Sequence, residues 1–294
     1  MNNTLGMIGL GNAGSALASA LSGRIPLVGY DADSKRRAVV AKLDLLWAES
    51  VAEVGAKAGA VLLSLPKPEI SKAVVAELLA GGTRPALIVE TSTITPKVAR
   101  ELGAACETAG VAFIDAAIGG GVQSMAAGKV TFLVGGEAAA FAKAKPLLDM
   151  LAETIHHLGP VGAGSGAKIV NNGVMHALMV VLIEAAAMGK KLGIPTKTLV
   201  EVLGRPDGIR RPLEHRVRER MLDGNYAGGM SVMNARKDST LALETAQDYG
   251  VPLFATLAAH TPYEIAQQKG MGELDYASLA KLWEEWCDLD FAEK

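Results

Sequence analysis

Cysteine is nearly absent from this chain: Cys106 and Cys287 are the only two in 294 residues, far apart and without paired or ligand spacing. A disulfide scaffold is thereby excluded, and no metal site is expected. Aromatic residues make up 4% of the sequence although half of it is hydrophobic, so alanine and glycine carry much of the apolar content and favour close helix packing and tight turns. Charge of one sign is also missing, since the formal net charge is −2 with both signs mixed along the chain. No nucleic-acid or anionic-membrane footprint follows from that balance, so neither nucleic acid nor membrane is expected as a partner. The apolar N-terminus lacks a basic n-region, which argues against a signal peptide. The longest apolar run, Val174 to Ile183, is too short to span a bilayer, and a cytoplasmic protein is expected.

What is present is concentrated first in Leu5 to Asp31, LGMIGLGNAGSALASALSGRIPLVGYD. A short apolar run enters Gly9, Gly11 and Gly14 in G-x-G-x-x-G spacing, a small-residue helix follows, and a second apolar run ends at Asp31. Each glycine has a task in binding a dinucleotide: Gly9 permits the tight turn, Gly11 lets the backbone approach a pyrophosphate, and Gly14 lets helix and strand pack closely. Leu10, Asn12 and Ala13 complete the turn, whose helix start faces the phosphate charge. Asp31 stands where a carboxylate accepts hydrogen bonds from the adenosine ribose and repels a 2′-phosphate, which favours NAD over NADP. Lys35, Arg36 and Arg37, a turn further on, would pull the other way.

The pattern then alternates. Helices are predicted at Ser34 to Lys42, up to Lys57, at Glu69 to Leu79 and at Pro96 to Ala109. Strands are predicted at Leu43 to Trp47, Ala60 to Leu65, Ala86 to Glu90 and Val111 to Asp115. Such alternation predicts a mostly parallel, doubly wound sheet of Rossmann type. Pro66, Ser92 with Thr93, and Asp115 onward all fall at the carboxyl edge of that sheet, where ligands bind. After a strand at Thr131 to Val134, a helix at Ala138 to Met150 and a strand near Ile155 to Leu158, Gly159 to Gly166 reads as a glycine-rich hinge. Beyond it the chain reads as all helix, beginning with one long helix over Ala167 to Leu192 that is apolar nearly all round. A helix of that kind is buried, and a second subunit is the expected cover. The expected division is residues 1–160 as a dinucleotide-binding domain and 161–294 as an all-α domain for substrate and oligomerisation, joined through the long helix.

Three groups carry candidate chemistry. Asp115 to Gly121 (DAAIGGG) runs from a strand end into glycines whose N–H groups could cradle a carboxylate. Lys168 and Asn172, four apart, share a helix face beside the hinge. Partial desolvation there would lower the Lys168 pKa toward that of a working acid or base. Lys237 and Asp238 open a later helix. Of the remaining residues, His215 and His260 are read as lacking a carboxylate at ligand spacing, Met175, Met179 and Met188 as core filling, and Trp283 and Trp286 as pinning the last helix by burial.

Taken together these motifs resemble the 3-hydroxyisobutyrate dehydrogenase group of the β-hydroxyacid dehydrogenases, from Met7 to about Phe254. Gly9 to Gly14 is similar to the family's dinucleotide turn, Leu65 and Pro66 to its Leu-Pro, and Thr91 to Pro96 to its cofactor loop. Asp115 to Gly121 with Gly128 to Gly136 is similar to its substrate segment, Gly162 to Asn172 to its catalytic motif, and Lys237-Asp238 to its late helix. The resemblance implies that Lys168 is the general acid/base, that Asn172 positions substrate and lysine, and that Gly120 and Gly121 bind the substrate carboxylate. It further implies that Thr93 and Pro66 line the ribose and phosphates of NAD and that Lys237 approaches the nicotinamide.

Two departures stand out. Ala117 and Gly119 replace a proline and a serine of the family segment, and Met230 replaces a phenylalanine. These imply a different or bulkier carboxylate-bearing substrate with the reaction type retained, and Arg210 or Arg211 could supply the lost anion contact. The expected activity is NAD-dependent interconversion of a small 3-hydroxy acid with its semialdehyde or 3-oxo acid, in a homodimer or homotetramer. An imine reductase is the enzymatic alternative, disfavoured by Lys168. A non-catalytic dinucleotide-binding module is the other, disfavoured by Lys168 and Asn172 together.

Overall fold

The computed structural model describes residues 3–293, and they divide into two compact units between Gly173 and Val174. In the first, strands and helices alternate from the start: β1 (Leu5–Ile8), α1 (Asn12–Leu21), β2 (Leu27–Tyr30), α2 (Arg36–Val40), β3 (Leu45–Trp47), α3 (Val51–Lys57), β4 (Ala60–Leu63) and α4 (Pro68–Ala80). The alternation continues through β5 (Leu87–Glu90), α5 (Pro96–Thr108), β6 (Ala112–Gly119), α6 (Val122–Ala126), β7 (Val130–Gly135), α7 (Ala138–Asp149) and β8 (Ala152–His157). α8 (Ala163–Lys191) then runs from the first unit into the second.

The eight strands form one sheet in the order β3-β2-β1-β4-β5-β6-β7-β8, parallel except for the β6–β7 pair. Because side chains alternate across a strand, each central strand feeds two cores. Along β4, Val61 and Leu63 pack with Ile8, Ile88 and Val98 on one face, while Leu62 packs with Met7, Leu17 and Phe132 on the other. Helix starts are set by local chemistry. Ser50 caps α3 by accepting from the Glu53 N–H at 3.1 Å, and Thr95 caps α5 ahead of Pro96 in its first turn.

Three elements differ from the sequence reading. β6 continues four residues past Asp115, because only its first half pairs with β5. Ala116 to Gly119 pair instead with the antiparallel β7, running from Ala116↔Val134 to Gly119↔Thr131. α6 is a short additional helix in the connection that brings β7 back. The glycine-rich stretch is not a free hinge: α8 begins inside it at Ala163, with Gly164 and Gly166 already helical.

The second unit holds the rest of α8, followed by α9 (Thr196–Leu203), a π-helical segment over Pro212–Met221, α10 (Val232–Asp248) and α11 (Phe254–Gln268). A 3₁₀ turn (Tyr276–Leu279) and α12 (Ala280–Cys287) close it. Its core is small, built on Val232, Ala266 and Leu282. Buried polar contacts reinforce it. Asp275 is fully buried against Arg216, 3.1 Å away, whose guanidinium lies over the Tyr276 ring. The Glu184 carboxylate accepts the Ala255 N–H at 2.8 Å and the Thr256 N–H at 3.1 Å, capping α11.

Several residues read as core are at the surface. Met175 and Met179 are 48% and 55% exposed, and Trp283 and Trp286 meet edge to face but stay 43% and 50% exposed. α8 is long and apolar enough to cross a membrane by length and composition, and 6% of its most apolar window is buried within the chain. Among the described residues, little of that apolar surface is covered.

Candidate active site

The site is assembled at the carboxyl edge of the sheet, where β1 lies between β2 and β4 and the strand order reverses. Gly9 has a φ of +88°, and a Cβ there would overlap the Ser64 carbonyl. A Cβ on Gly14 would overlap the Gly9 carbonyl, so helix and turn are in backbone contact. Gly11 has open space around its Cβ position, which is what a bound pyrophosphate needs. Asn12 and Ala13 open α1 behind it, and a concavity of about 370 Å³ lined by Asn12, Ser15, Val39 and Val122 flanks that helix. These residues fit a dinucleotide.

Asp31 is brought to the turn and holds it. One carboxylate oxygen accepts the Leu10 N–H at 2.6 Å and the other accepts the Asp33 N–H at 2.8 Å. The Leu10 side chain is fully buried, so this residue anchors the turn from below.

The two neighbouring strand ends are laced together. Ser92 Oγ accepts the Leu65 N–H at 2.7 Å, and Thr91 Oγ1 donates to the Leu63 carbonyl at 2.6 Å. Glu90, fully buried, accepts the Ser92 N–H at 2.8 Å; burial raises its pKa, and the nearby Asp115 adds to the effect. With this lacing in place, Pro66 and Thr93 lie exposed at the tips of their loops.

Lys168 and the glycine segment meet. Lys168 Nζ donates to the Ile118 carbonyl at 2.7 Å, immediately before Gly119. The ammonium is half-buried, and desolvation lowers its pKa below the ordinary lysine value. Gly119 pairs with Thr131, Gly120 has a φ of +123°, and Gly121 has open space around its Cβ position. Asn172 lies one turn beyond Lys168, with its side-chain oxygen 3.4 Å from the Asn171 amide nitrogen. In the second unit, Arg210 is exposed and paired with Glu214 at 3.1 Å, while Lys237 is exposed and paired with Asp238 at 3.1 Å.

Sequence reasoning missed the buried carboxylate of Glu90, whose only signal was a charge at the end of an apolar strand, and, although it placed Asp115 at the ligand edge, it missed that this carboxylate is buried. It also missed that each of two histidines has a glutamate four residues on: His215 lies 2.9 Å from Glu219 and His260 2.8 Å from Glu264. Among the described residues no group of three or more His, Cys, Asp or Glu is placed to hold a metal ion.

A glycine turn at the crossover of a doubly wound sheet, with a carboxylate closing the next strand, defines a dinucleotide-binding domain of the oxidoreductase type. Residues 4–159 match the NAD binding domain of 6-phosphogluconate dehydrogenase, and residues 162–283 match the NAD-binding domain of NADP-dependent 3-hydroxyisobutyrate dehydrogenase. A 2-(hydroxymethyl)glutarate dehydrogenase from Eubacterium barkeri is 30% identical over 96% of this chain and 95% of its own. The chain belongs to the β-hydroxyacid dehydrogenase family. Among solved structures, a Mycobacterium tuberculosis 3-hydroxyisobutyrate dehydrogenase with L-serine is 28% identical, with a TM-score of 0.66 over 96% of this chain and 99% of that one. A Pseudomonas sp. imine reductase reaches a TM-score of 0.84 at 20% identity over 96% of this chain and 99% of that one, a likeness of fold alone.

Proposed function

We propose that this chain interconverts a small 3-hydroxy acid and its semialdehyde or 3-oxo acid with NAD, using Lys168 as general acid/base. The observation that carries the reading is the half-buried Lys168 ammonium, 2.7 Å from the Ile118 carbonyl and next to Gly119–Gly121. When bound, NAD supplies the two-electron acceptor for the hydride leaving the carbinol carbon. Lys168 Nζ, neutral in the oxidation direction, takes the hydroxyl proton as that carbon becomes a carbonyl. In reduction the ammonium returns it. Gly120 and Gly121 offer backbone N–H groups to the substrate carboxylate, and Asn172 steadies the hydroxyl and the lysine. Lys237 serves the nicotinamide end of the cofactor and Arg210 the substrate anion, both on sequence grounds.

Preference for NAD is supported by the Asp31 carboxylate at the end of β2, whose charge disfavours a 2′-phosphate. Homo-oligomerisation is supported by the exposed apolar surface of α8, where Val174 and Ile183, on opposite sides of the helix, are 56% and 55% exposed.

The test is initial rates with NAD and NADP across 3-hydroxy acids, including 3-hydroxyisobutyrate, serine, glycerate and bulkier analogues, for the wild type and for Lys168→Ala. Turnover with NAD preferred is expected. Lys168→Ala is expected to bind NAD normally and lose about 10²–10⁴-fold in rate, the usual contribution of a positioned acid/base. Full turnover by Lys168→Ala would remove the mechanism.

A further inference from the structure

Asp115 and Lys168 are tied to the same few residues of β6 by opposite ends of one arrangement. Asp115 is 1% exposed, and its two carboxylate oxygens accept the Gly162 N–H at 2.8 Å and the Ser165 N–H at 2.6 Å. Ser165 lies in the opening turn of α8 and Gly162 immediately precedes it, where free N–H groups and the positive end of the helix dipole favour an anion. Three residues along β6, the Ile118 carbonyl accepts from Lys168 Nζ. Three strand residues advance about 10 Å, and the six residues from Gly162 to Lys168 advance about 9 Å along a helix. The two advances are similar, and because the opening turn and Lys168 belong to one helix, the first contact restrains the second.

Glycines permit the approach. A Cβ on Gly164 would overlap the Leu133 carbonyl and lie 2.7 Å from the Asp115 carbonyl. A Cβ on Gly135 would lie 2.5 Å from Asp115 Oδ1. A carboxylate satisfies both donors because each of its oxygens accepts; an asparagine would turn an NH₂ toward one of them.

We propose that Asp115 is a positioning residue for Lys168, clamping the first turn of α8 against β6 so that the ammonium is held at the Gly119–Gly121 segment. The proposal rests on the reading of Lys168 as the acid/base.

Two variants of the full chain test it: Asp115→Asn, and Gly164→Ala, which places a Cβ against the Leu133 and Asp115 carbonyls. Three quantities are measured on each: kcat with the best substrate, the Kd for NAD, and the pH dependence of Lys168 acetylation by acetic anhydride, read by peptide mass spectrometry. Asp115→Asn and Gly164→Ala are expected to lose about 10²-fold in kcat, the scale of an ångström-level misplacement, with the Kd for NAD within twofold. The midpoint of Lys168 acetylation should also move upward as the amine regains water. A folded Asp115→Asn or Gly164→Ala protein whose Lys168 acetylation midpoint does not move overturns the proposal, whatever its kcat. The acetylation readout does not depend on turnover. Failure of the acid/base reading, seen as an active Lys168→Ala, is therefore distinguishable from failure of the clamp.

Discussion

Lys168 shows how one residue's environment decides its chemistry. A lysine on a solvated helix keeps its ordinary pKa and is a poor base near neutrality, but here desolvation lowers it. With Lys168 as the proposed acid/base, the sign follows directly: oxidation would need the neutral amine, so its rate should rise with pH through a midpoint below that of a free lysine, while reduction would need the ammonium and should fall through the same range. Rate profiles in both directions check this. Glu90 works in the opposite sense. Its folded pKa is raised, so the folded state holds a proton more tightly than the unfolded one, and stability is lost as pH climbs from the unfolded value through the folded one. Glu90→Gln keeps an acceptor for the Ser92 N–H and removes that loss, so its thermal midpoint should exceed the wild type's at neutral pH and match it in acid.

Among the elements, the β1–α1 turn and the start of α8 follow one rule, that backbone meets backbone only where no Cβ intervenes. Gly14→Ala places a Cβ on the Gly9 carbonyl and should abolish NAD binding in a titration followed by cofactor fluorescence. The α5 cap is an ordinary contrast: Thr95→Ala removes the acceptor for the Val98 N–H, 3.3 Å away, and should cost about 1 kcal/mol in denaturant unfolding with little effect on rate. The glycine turn was legible in the sequence because its function dictates spacing. The start of α8 inside Gly159–Gly166 was not, because glycine reads as a helix breaker until one sees that Asp115 accepts the N–H groups and that the strand leaves no room for side chains. The extension of β6 was hidden for a similar reason: its second half pairs only with β7, a partner fixed by topology.

For the whole molecule, the apolar surface of α8 sets the expectation. Val174, Met179 and Ile183 are each more than half exposed, as is Phe254 on α11 at 75%. Charged substitutions at Val174 and Met179 should convert an oligomer to a monomer in light scattering. An unchanged mass would show that this face is covered in another way.

The sequence by itself determined the alternating architecture, the dinucleotide turn, Asp31 as its carboxylate, and Lys168 and the glycine segment as the candidates for the proposed chemistry. Each of these is written as local periodicity or as spacing along a few residues. Tertiary structure alone decided that β6 changes partners midway, that Glu90 and Asp115 are buried, and that Lys168 reaches the Ile118 carbonyl. Those facts depend on contacts between residues up to fifty positions apart, a distance at which neither hydrophobic period nor turn chemistry carries information.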